Sequence, residues 1–344
     1  MKENNQLGHW KLWLKERENN GEGEEYIPVI LHIGMEKTGS KAIQTWLAEE
    51  RQSLAEMGWH VPQTLGAINH RQVSFLGYNK KRRDDGTQRR GIKTSNDLKK
   101  YQTEVFKRLR QEVKTATRCK KDAMIISTEL ATSRLTRVRE IKRMIRSMQK
   151  AGCNPILVTL FRRDPVELLE SRYSTAVLHE GWSQWNPPKA GSREANLFGD
   201  QIGLQKRWWS VIEKIESVDF DVYTYKAEVL IEGSSAASVA CFMGCDKKMI
   251  KKAIEMKKNR PLPLLNLRAL MIANMLERQK NKGIKSLGKY LRRLALKVML
   301  GNLKYKVPVS VKLEYTQRYK NSKLENRTGW LIWSSWRTID PFLH

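Results

Sequence analysis

The sequence predicts an α/β fold: a three-layer arrangement with a parallel sheet flanked by helices, followed by a basic, mainly helical carboxyl-terminal section. Three observations predict it. Short apolar runs at 27–33, 123–126 and 155–161 alternate with segments of helical periodicity. The runs are apolar nearly throughout, as strands buried on both faces must be. The chain of 344 residues, 40% hydrophobic and 8% aromatic, is long and apolar enough to enclose such a core.

Taken in order, residues 1–25 place Trp10, Trp13 and Leu14 on one or two amphipathic turns before Gly21 and Gly23 break the pattern, so an appendage is expected there. The main fold is expected over 26–246. Its first run passes through a glycine loop, Gly34 to Ser40, into Ala42, Ile43, Trp46 and Leu47 at helical spacing. The second run ends in Ser127-Thr128-Glu129 and the third in Arg162-Arg163-Asp164-Pro165; between them, 137–149 reads as a helix closed by Gly152. After Pro165, the positions Val166, Leu168, Leu169, Tyr173 and Val177 suit another helix. The polar loop 181–199, with Trp182 and Trp185, is long enough for a function of its own. A fourth strand is expected at 218–225, between a helix holding Trp208, Trp209 and Ile212 and one at 236–243. Between 48 and 122 no element is assigned.

Charge sets the last section, 247–344, apart. Lys and Arg total 64 against 36 Asp and Glu, a net charge of +28, more than solubility requires, so an anionic substrate or partner is expected. From 247 to 327 there are 23 Lys or Arg and only 4 acids, Glu255, Glu277, Glu314 and Glu325. Helical patterns at 264–280 and 286–300 run through this section, which is expected to pack on the sheet. Lys289, Arg292, Arg293 and Lys297 fall beside Leu291, Leu294, Leu296 and Leu300, which suits contact with an anionic polymer or an anionic membrane surface; a plain solvated face is the alternative. A nucleic-acid-binding protein is a further alternative, although no recognised nucleic-acid motif accompanies the charge. Cys119, Cys153, Cys241 and Cys245 are too few and scattered for a disulfide framework, no apolar run reaches the roughly 18–20 residues of a membrane span, and the amino terminus is unlike a secretory signal. A cytoplasmic protein is expected, peripheral at a membrane surface at most.

The chemistry concentrates in His32-Ile33-Gly34-Met35-Glu36-Lys37-Thr38-Gly39-Ser40-Lys41. A glycine loop leading from the first strand into a helix aims backbone N–H groups and the positive helix end at an anion. The G-x-x-x-x-G spacing is that of a nucleotide phosphate loop, but Ser40-Lys41 follow where a magnesium-dependent NTPase needs Lys and then Ser or Thr. The lysine stands earlier, at Lys37, and no Asp ends the 123–126 strand. Both departures count against a P-loop kinase using ATP, which stays as an alternative reading.

The run from Ile33 to Ser40, with Ile43-Gln44 and Leu47, resembles the 5′-phosphosulfate loop of sulfotransferases that use 3′-phosphoadenosine-5′-phosphosulfate (PAPS), especially the bacterial carbohydrate type, K-T-G-[ST]-[ST]-x-[IL]-Q. Leu160-Phe161-Arg162-Arg163-Asp164-Pro165, followed by Ser171 and Tyr173, is similar to the family's 3′-phosphate site, an Arg at a strand end and a Ser on the next helix. Ser127-Thr128-Glu129, Asn69-His70 and Phe242-Met243-Gly244 are weaker echoes, and the resemblance spans roughly residues 28 to 260. Lys41 departs from it, standing where the family has a second hydroxyl. The resemblance implies a P-loop-type fold, PAPS as the sulfuryl donor bound by Lys37, Thr38, Gly39, Ser40, Lys41, Arg163 and Ser171, no obligatory metal, and a hydroxyl of a carbohydrate, polysaccharide or glycolipid as acceptor.

For such a transfer Lys37 is the expected electrophile at the leaving oxygen, and the amides of residues 38–41 with the hydroxyls of Thr38 and Ser40 are expected to cradle the phosphosulfate. Two residues compete as general base: Glu129, at a strand's carboxyl end, and His70, whose ordinary pKa of about 6.5 suits the task. Read without the resemblance, Glu129 is equally a helix cap or ion-pair partner, His70 structural, and Arg163 an ion pair beside a solvated Ser171. Trp182 and Trp185 are expected either to stack on sugar faces or to anchor the loop.

Overall fold

The structure, a computed structural model, describes residues 9–16, 26–35, 37–189, 192, 201–225, 231–256, 262–298, 301 and 303–320. Gly21 and Gly23, Glu36 of the glycine loop, most of 190–200, Leu300 and the segment 321–344 lie outside the described residues. In chain order the elements are α1 (His9–Lys15), β1 (Ile27–His32), α2 (Ser40–Glu49), α3 (Arg51–Glu56), β2 (Trp59–His60), a 3-10 helix (Arg71–Gly77), α4 (Asp85–Gln88), α5 (Ser95–Arg118), β3 (Ala123–Ser127), α6 (Leu130–Arg134), α7 (Val138–Lys150) and β4 (Cys153–Arg163). There follow α8 (Pro165–His179), α9 (Gln201–Ile212), β5 (Val218–Tyr225), α10 (Ser235–Phe242), α11 (Lys247–Glu255), α12 (Leu264–Glu277), α13 (Lys282–Lys297) and α14 (Val309–Lys320). They fall into two compact units. The first takes the described residues within Met1–Arg162 and Gly203–Lys257, the second those within Arg163–Ile202 and Lys258–Glu325.

The first unit is built on a five-stranded parallel sheet in the order β2-β3-β1-β4-β5. Side chains alternate across a strand, and here the alternation sorts them into two cores. Val29 and Leu31 of β1, Met124 and Ile126 of β3, and Ile156 and Val158 of β4 enter one core, with α5, α7 and α9 over it. Ile30, Ile125, Leu157 and Phe161 point the other way, under α1, α2, α3, α10 and α11. This is the three-layer arrangement expected from the doubly buried runs.

Three elements depart from the sequence expectation. Helix α5, 24 residues long and in a stretch with no assigned element, is mostly polar but keeps Leu98, Val105, Leu109, Val113 and Ala116 on one buried stripe. Each fully buried Val or Leu contributes about 1.5–3 kcal/mol, enough for one stripe to hold the helix down. A reciprocal capping box between Thr94 and Asp97 fixes its start. Helix α1 is no appendage: Trp10 is fully buried, 5.5 Å from Phe242 ring to ring, and Trp13 donates to Asp219 at 2.8 Å. Helix α11, whose lysines group it by charge with the last section, buries Met249 and Ala253 in the first unit.

The second unit is helical. Leu169, Tyr173, Ala176 and Val177 of α8 pack on Leu267, Leu270 and Met271 of α12, Ala295 of α13 and Tyr315 of α14. Helices α12 and α13 form a hairpin that closes at Gly288, where a Cβ would stand 2.9 Å from the backbone of Ala273 and Glu277. Asn266 of α12 donates to the carbonyls of Ala295 and Val298, satisfying the end of α13. No helix among the described residues is long and apolar enough to cross a membrane.

Candidate functional site

β1 is flanked by β3 on one side and β4 on the other, so the strand order reverses around it, and ligands of open α/β sheets gather at the carboxyl ends of strands at such a point. Past its end the chain stays on β4, with Ile33 and Met35 donating to the carbonyls of Thr159 and Phe161 at 2.9 and 3.0 Å. It then turns sharply. Lys37 (φ 71°) and Gly39 (φ 76°) are both left-handed, a conformation that costs a residue other than glycine about 1–2 kcal/mol. Such alternation turns successive amides into one concavity, which favours an anion. Gly39 is also the N-cap of α2, and no side chain among the described residues caps that helix, so its first amides face the same concavity.

The loop is held from outside. Thr132 donates to the Gly34 carbonyl at 3.3 Å and Ser235 to the Gly39 carbonyl at 3.1 Å. Thr38, expected to offer its hydroxyl to a ligand, is buried and spends it on the Met35 carbonyl at 2.6 Å, so it shapes the loop instead. Ser40 is buried with its Oγ 3.4 Å from that of Thr38; Lys37 is half-buried, and Lys41 is exposed.

Beneath the loop lies a residue that sequence reasoning missed. His32 is fully buried, its Nδ1 2.8 Å from Ser127 Oγ and its ring edge-on to Phe161. A Cβ on Gly34 would stand 2.7 Å from His32 Nε2 and 2.6 Å from Ser40 Oγ, so glycine is required there and the imidazole reaches the turn itself. Nε2 has no hydrogen-bond partner among the described residues, and burial pushes the pKa down to about 3, keeping the ring neutral. The signal was a single polar residue ending an otherwise apolar strand.

Glu129 is brought to the same place. Its carboxylate accepts from Gln44 Nε2 at 2.5 Å and from Asn69 Nδ2 at 2.9 Å to each oxygen. Gln44 lies one turn beyond Ser40 on α2, so the carboxylate sits beside the first turns of that helix. Glu129 precedes α6 without capping it by its side chain, and both side chains that hold it, Gln44 and Asn69, are neutral amides. These two holders had signalled only as parts of family motifs.

His70 is placed differently. It is fully buried, its Nδ1 accepts the Ser127 amide at 2.9 Å and its own amide donates to the Ser127 carbonyl at 3.1 Å. Burial lowers its pKa to about 4, against a smaller opposing effect of the Pro62 backbone. The Nδ1 of this neutral ring is taken by the Ser127 amide, which ties Asn69 to β3.

In the second unit, Arg163 ends β4 and its Nε donates to Glu167 at 3.0 Å. Ser171 lies one turn beyond Glu167 on α8, half-buried, so Glu167 and Ser171 share one face of the helix. The start of α8 is closed by its own sequence: Asp164 accepts from the amides of Val166 and Glu167 at 2.9 and 3.2 Å. Tyr173 is buried and donates to the carbonyls of Gln184 and Trp185, tying the loop down. Trp182 packs on the unit's core, while Trp185 is 53% exposed.

Comparison with known proteins adds no relative: no family model, no curated protein and no solved structure matches the chain.

Proposed function

We propose that the chain is a PAPS-dependent sulfotransferase that moves a sulfuryl group to a hydroxyl of a carbohydrate or glycolipid acceptor and releases 3′,5′-ADP. One observation carries the reading: an uncapped helix start and two left-handed residues, Lys37 and Gly39, make an anion-binding turn at the end of the central strand, with a carboxylate positioned beside it. The orphaned Nε2 of His32 under the turn fits a loop completed by a ligand, and the sequence resemblance selects which ligand.

In this reading the amides of Gly39, Ser40 and Lys41 hold the 5′-phosphosulfate and Lys37 offsets the charge that grows on the bridging phosphate oxygen. Glu129, oriented by Gln44 and Asn69, takes the proton of the acceptor hydroxyl as that oxygen bonds to sulfur and the bond from sulfur to phosphate breaks. The 3′-phosphate is assigned to Arg163 and Ser171 on the resemblance. Glu167 competes with a phosphate for Arg163, and weakly, because the pair is partly exposed.

The test is transfer of labelled sulfate from PAPS to a panel of polysaccharide and glycolipid acceptors. Wild type should transfer, and Lys37→Ala should lower transfer by about 10²–10³-fold, the scale of losing one charge-stabilising group. A melting-temperature rise with ATP but not with 3′,5′-ADP would replace this reading with the kinase alternative.

A further inference from the structure

Helices α12 and α13 present an apolar face to solvent that no described part of the chain covers. On α13, Ile284, Leu287, Tyr290 and Leu294 are all at least 40% exposed, and Leu287 and Tyr290 reach 56% and 60%. At 3.6 residues per turn they share about one third of the helix circumference. The stripe that seats α13 on α12 is a separate one, Gly288 and Ala295, flanked by Arg292. Leu265, Ile272 and Met275 form a matching exposed stripe on α12. Arg292 bonds Glu277 and reaches the α8 carbonyl of Leu178, which marks the side of α13 that faces α8. Leu287, Tyr290 and Leu294 of α13 lie on the other side, and Leu265 and Ile272 lie on the side of α12 away from Asn274, which bonds Val177 of α8. The two stripes therefore belong to one face of the hairpin.

The charge beside this face has one sign. Helix α13 carries six Lys or Arg and no acid. On α12 the single acid, Glu277, is engaged by Arg292 at 2.8 Å, and Arg268 stands between Leu265 and Ile272. Lys297 and Arg293 border the apolar arc of α13 at Tyr290, and Lys282, Lys289 and Lys285 continue round the helix to the side opposite the arc. A soluble polyanion would satisfy the cations and leave the leucines in water. An anionic bilayer satisfies both, accepting leucines below the headgroups while long basic side chains reach up to phosphate. At about 24 Å, α13 is a helix to lie in that interface, and no described helix can span it.

We propose that the α12–α13 hairpin is a membrane-surface site, which lays Leu287, Tyr290 and Leu294 into the interface of a bilayer of anionic phospholipid. The proposal does not depend on the sulfotransferase reading.

The test uses the full chain and vesicles of phosphatidylcholine with or without phosphatidylglycerol, at about 0.15 M salt, where surface charge is screened beyond about 8 Å. The chain should sediment with the anionic vesicles and not with phosphatidylcholine alone. Leu287→Glu with Leu294→Glu should weaken binding more than tenfold, and Lys289→Glu with Arg293→Glu about as much, at roughly fivefold or more per residue. Unchanged melting temperatures would establish that both variants fold. Independently, an environment-sensitive dye on Leu287→Cys, in a Cys119→Ser background, should shift to the blue on vesicle binding. Vesicle binding unaffected by the Leu→Glu pair, or a dye that stays in water, would reduce the site to charge alone and overturn the proposal. So would dimer dissociation by the same pair without loss of vesicle binding, since the face would then join two copies.

Discussion

After β1 and after β4 the chain makes the same move, from the carboxyl end of a parallel strand into a helix, and it completes the two helix starts by opposite means. At β4 the sequence supplies its own anion: Asp164 accepts two amides of α8, with Pro165 following at the first helical position. At β1 it supplies none. Gly39 has no side chain to cap with, Lys37 and Gly39 hold left-handed backbone, and the groups around the turn, Thr132, Ser235 and Met35, bond its carbonyls or extend it along β4. The physical difference is whether the positive end of a helix is neutralised from within. An external anion therefore finds amides without a side-chain cap at α2, whereas at α8 the Val166 and Glu167 amides are already taken by Asp164.

The largest expected effect separates chemistry from binding at the first junction. Glu129→Gln keeps the size of the side chain and removes its basicity; kcat should fall by about 10²–10⁴-fold while the melting-temperature shift with 3′,5′-ADP is retained. Equal losses in kcat and in ligand protection would make Glu129 a structural member of the turn, and the junction would have no assigned base.

Acid should weaken the first junction selectively, because His32 and His70 back it as neutral, buried rings with pKa values pushed down to about 3 and about 4. An unfolded histidine binds its proton near pH 6.5, so the stability these rings contribute is complete above that pH. It is lost as pH falls towards 4 for His70 and 3 for His32, at about 1.4 kcal/mol per pH unit for each. Glu112 complicates only the lower range. Burial alone would raise its pKa, but hydrogen bonds from His60, Thr64 and Gln63 outweigh that and bring it from 4.5 to about 2, so its contribution is lost as pH falls from about 4.5 towards 2. Urea unfolding at pH 6.5 and 5.5 therefore isolates the histidines. His70→Gln should remove about half of the slope, and an unchanged slope would mean that the His70 ring is not held neutral.

Gly34→Ala sharpens the same comparison at smaller scale. The added Cβ would meet Ser40 Oγ at 2.6 Å and His32 Nε2 at 2.7 Å, so the loop has to move. Affinity for 3′,5′-ADP should drop by about tenfold to a hundredfold, roughly 1–3 kcal/mol of overpacking, as isothermal titration would measure. Full affinity would show that the turn is adaptable and that its shape is not the source of recognition.

Much of this was legible in the chain because local rules and tertiary structure agree in it. The strands at 27–33, 123–126 and 155–161 are apolar for the reason they are central, and the turn announced itself by Gly39, whose type tolerates left-handed backbone, while the left-handed Lys37 did not. What escaped depended on partners distant in sequence. Helix α5 shows mostly polar residues, and its buried stripe acquires meaning only when β1 and β3 lie beneath it. His32 reads as one polar letter in a strand until Gly34 folds back over it. Thr38 and Ser40 look alike in sequence, yet Thr38 has a carbonyl within 2.6 Å and serves the loop. The basic section was visible as composition, but which of its cations are engaged was not: Arg292 turns inward to Glu277, while Lys289 and Arg293 stand on the outer flank of the same helix.

The smallest effect belongs to the second junction. Asp164→Ala removes the internal cap and should cost α8 about 1 kcal/mol, while Asp164→Asn, which caps comparably, should cost only a fraction of that. The change is local, so hydrogen exchange of the Val166 and Glu167 amides reads it directly, with protection falling about fivefold in the alanine variant. Ser40 and Lys41 amides of α2, which no side chain caps, should show no change in the same sample and gain protection only when 3′,5′-ADP is added. If the two helix starts instead exchanged alike before and after the substitution, internal capping would not be what distinguishes them. The open turn after β1 would then lose its claim to be the place where phosphate binds.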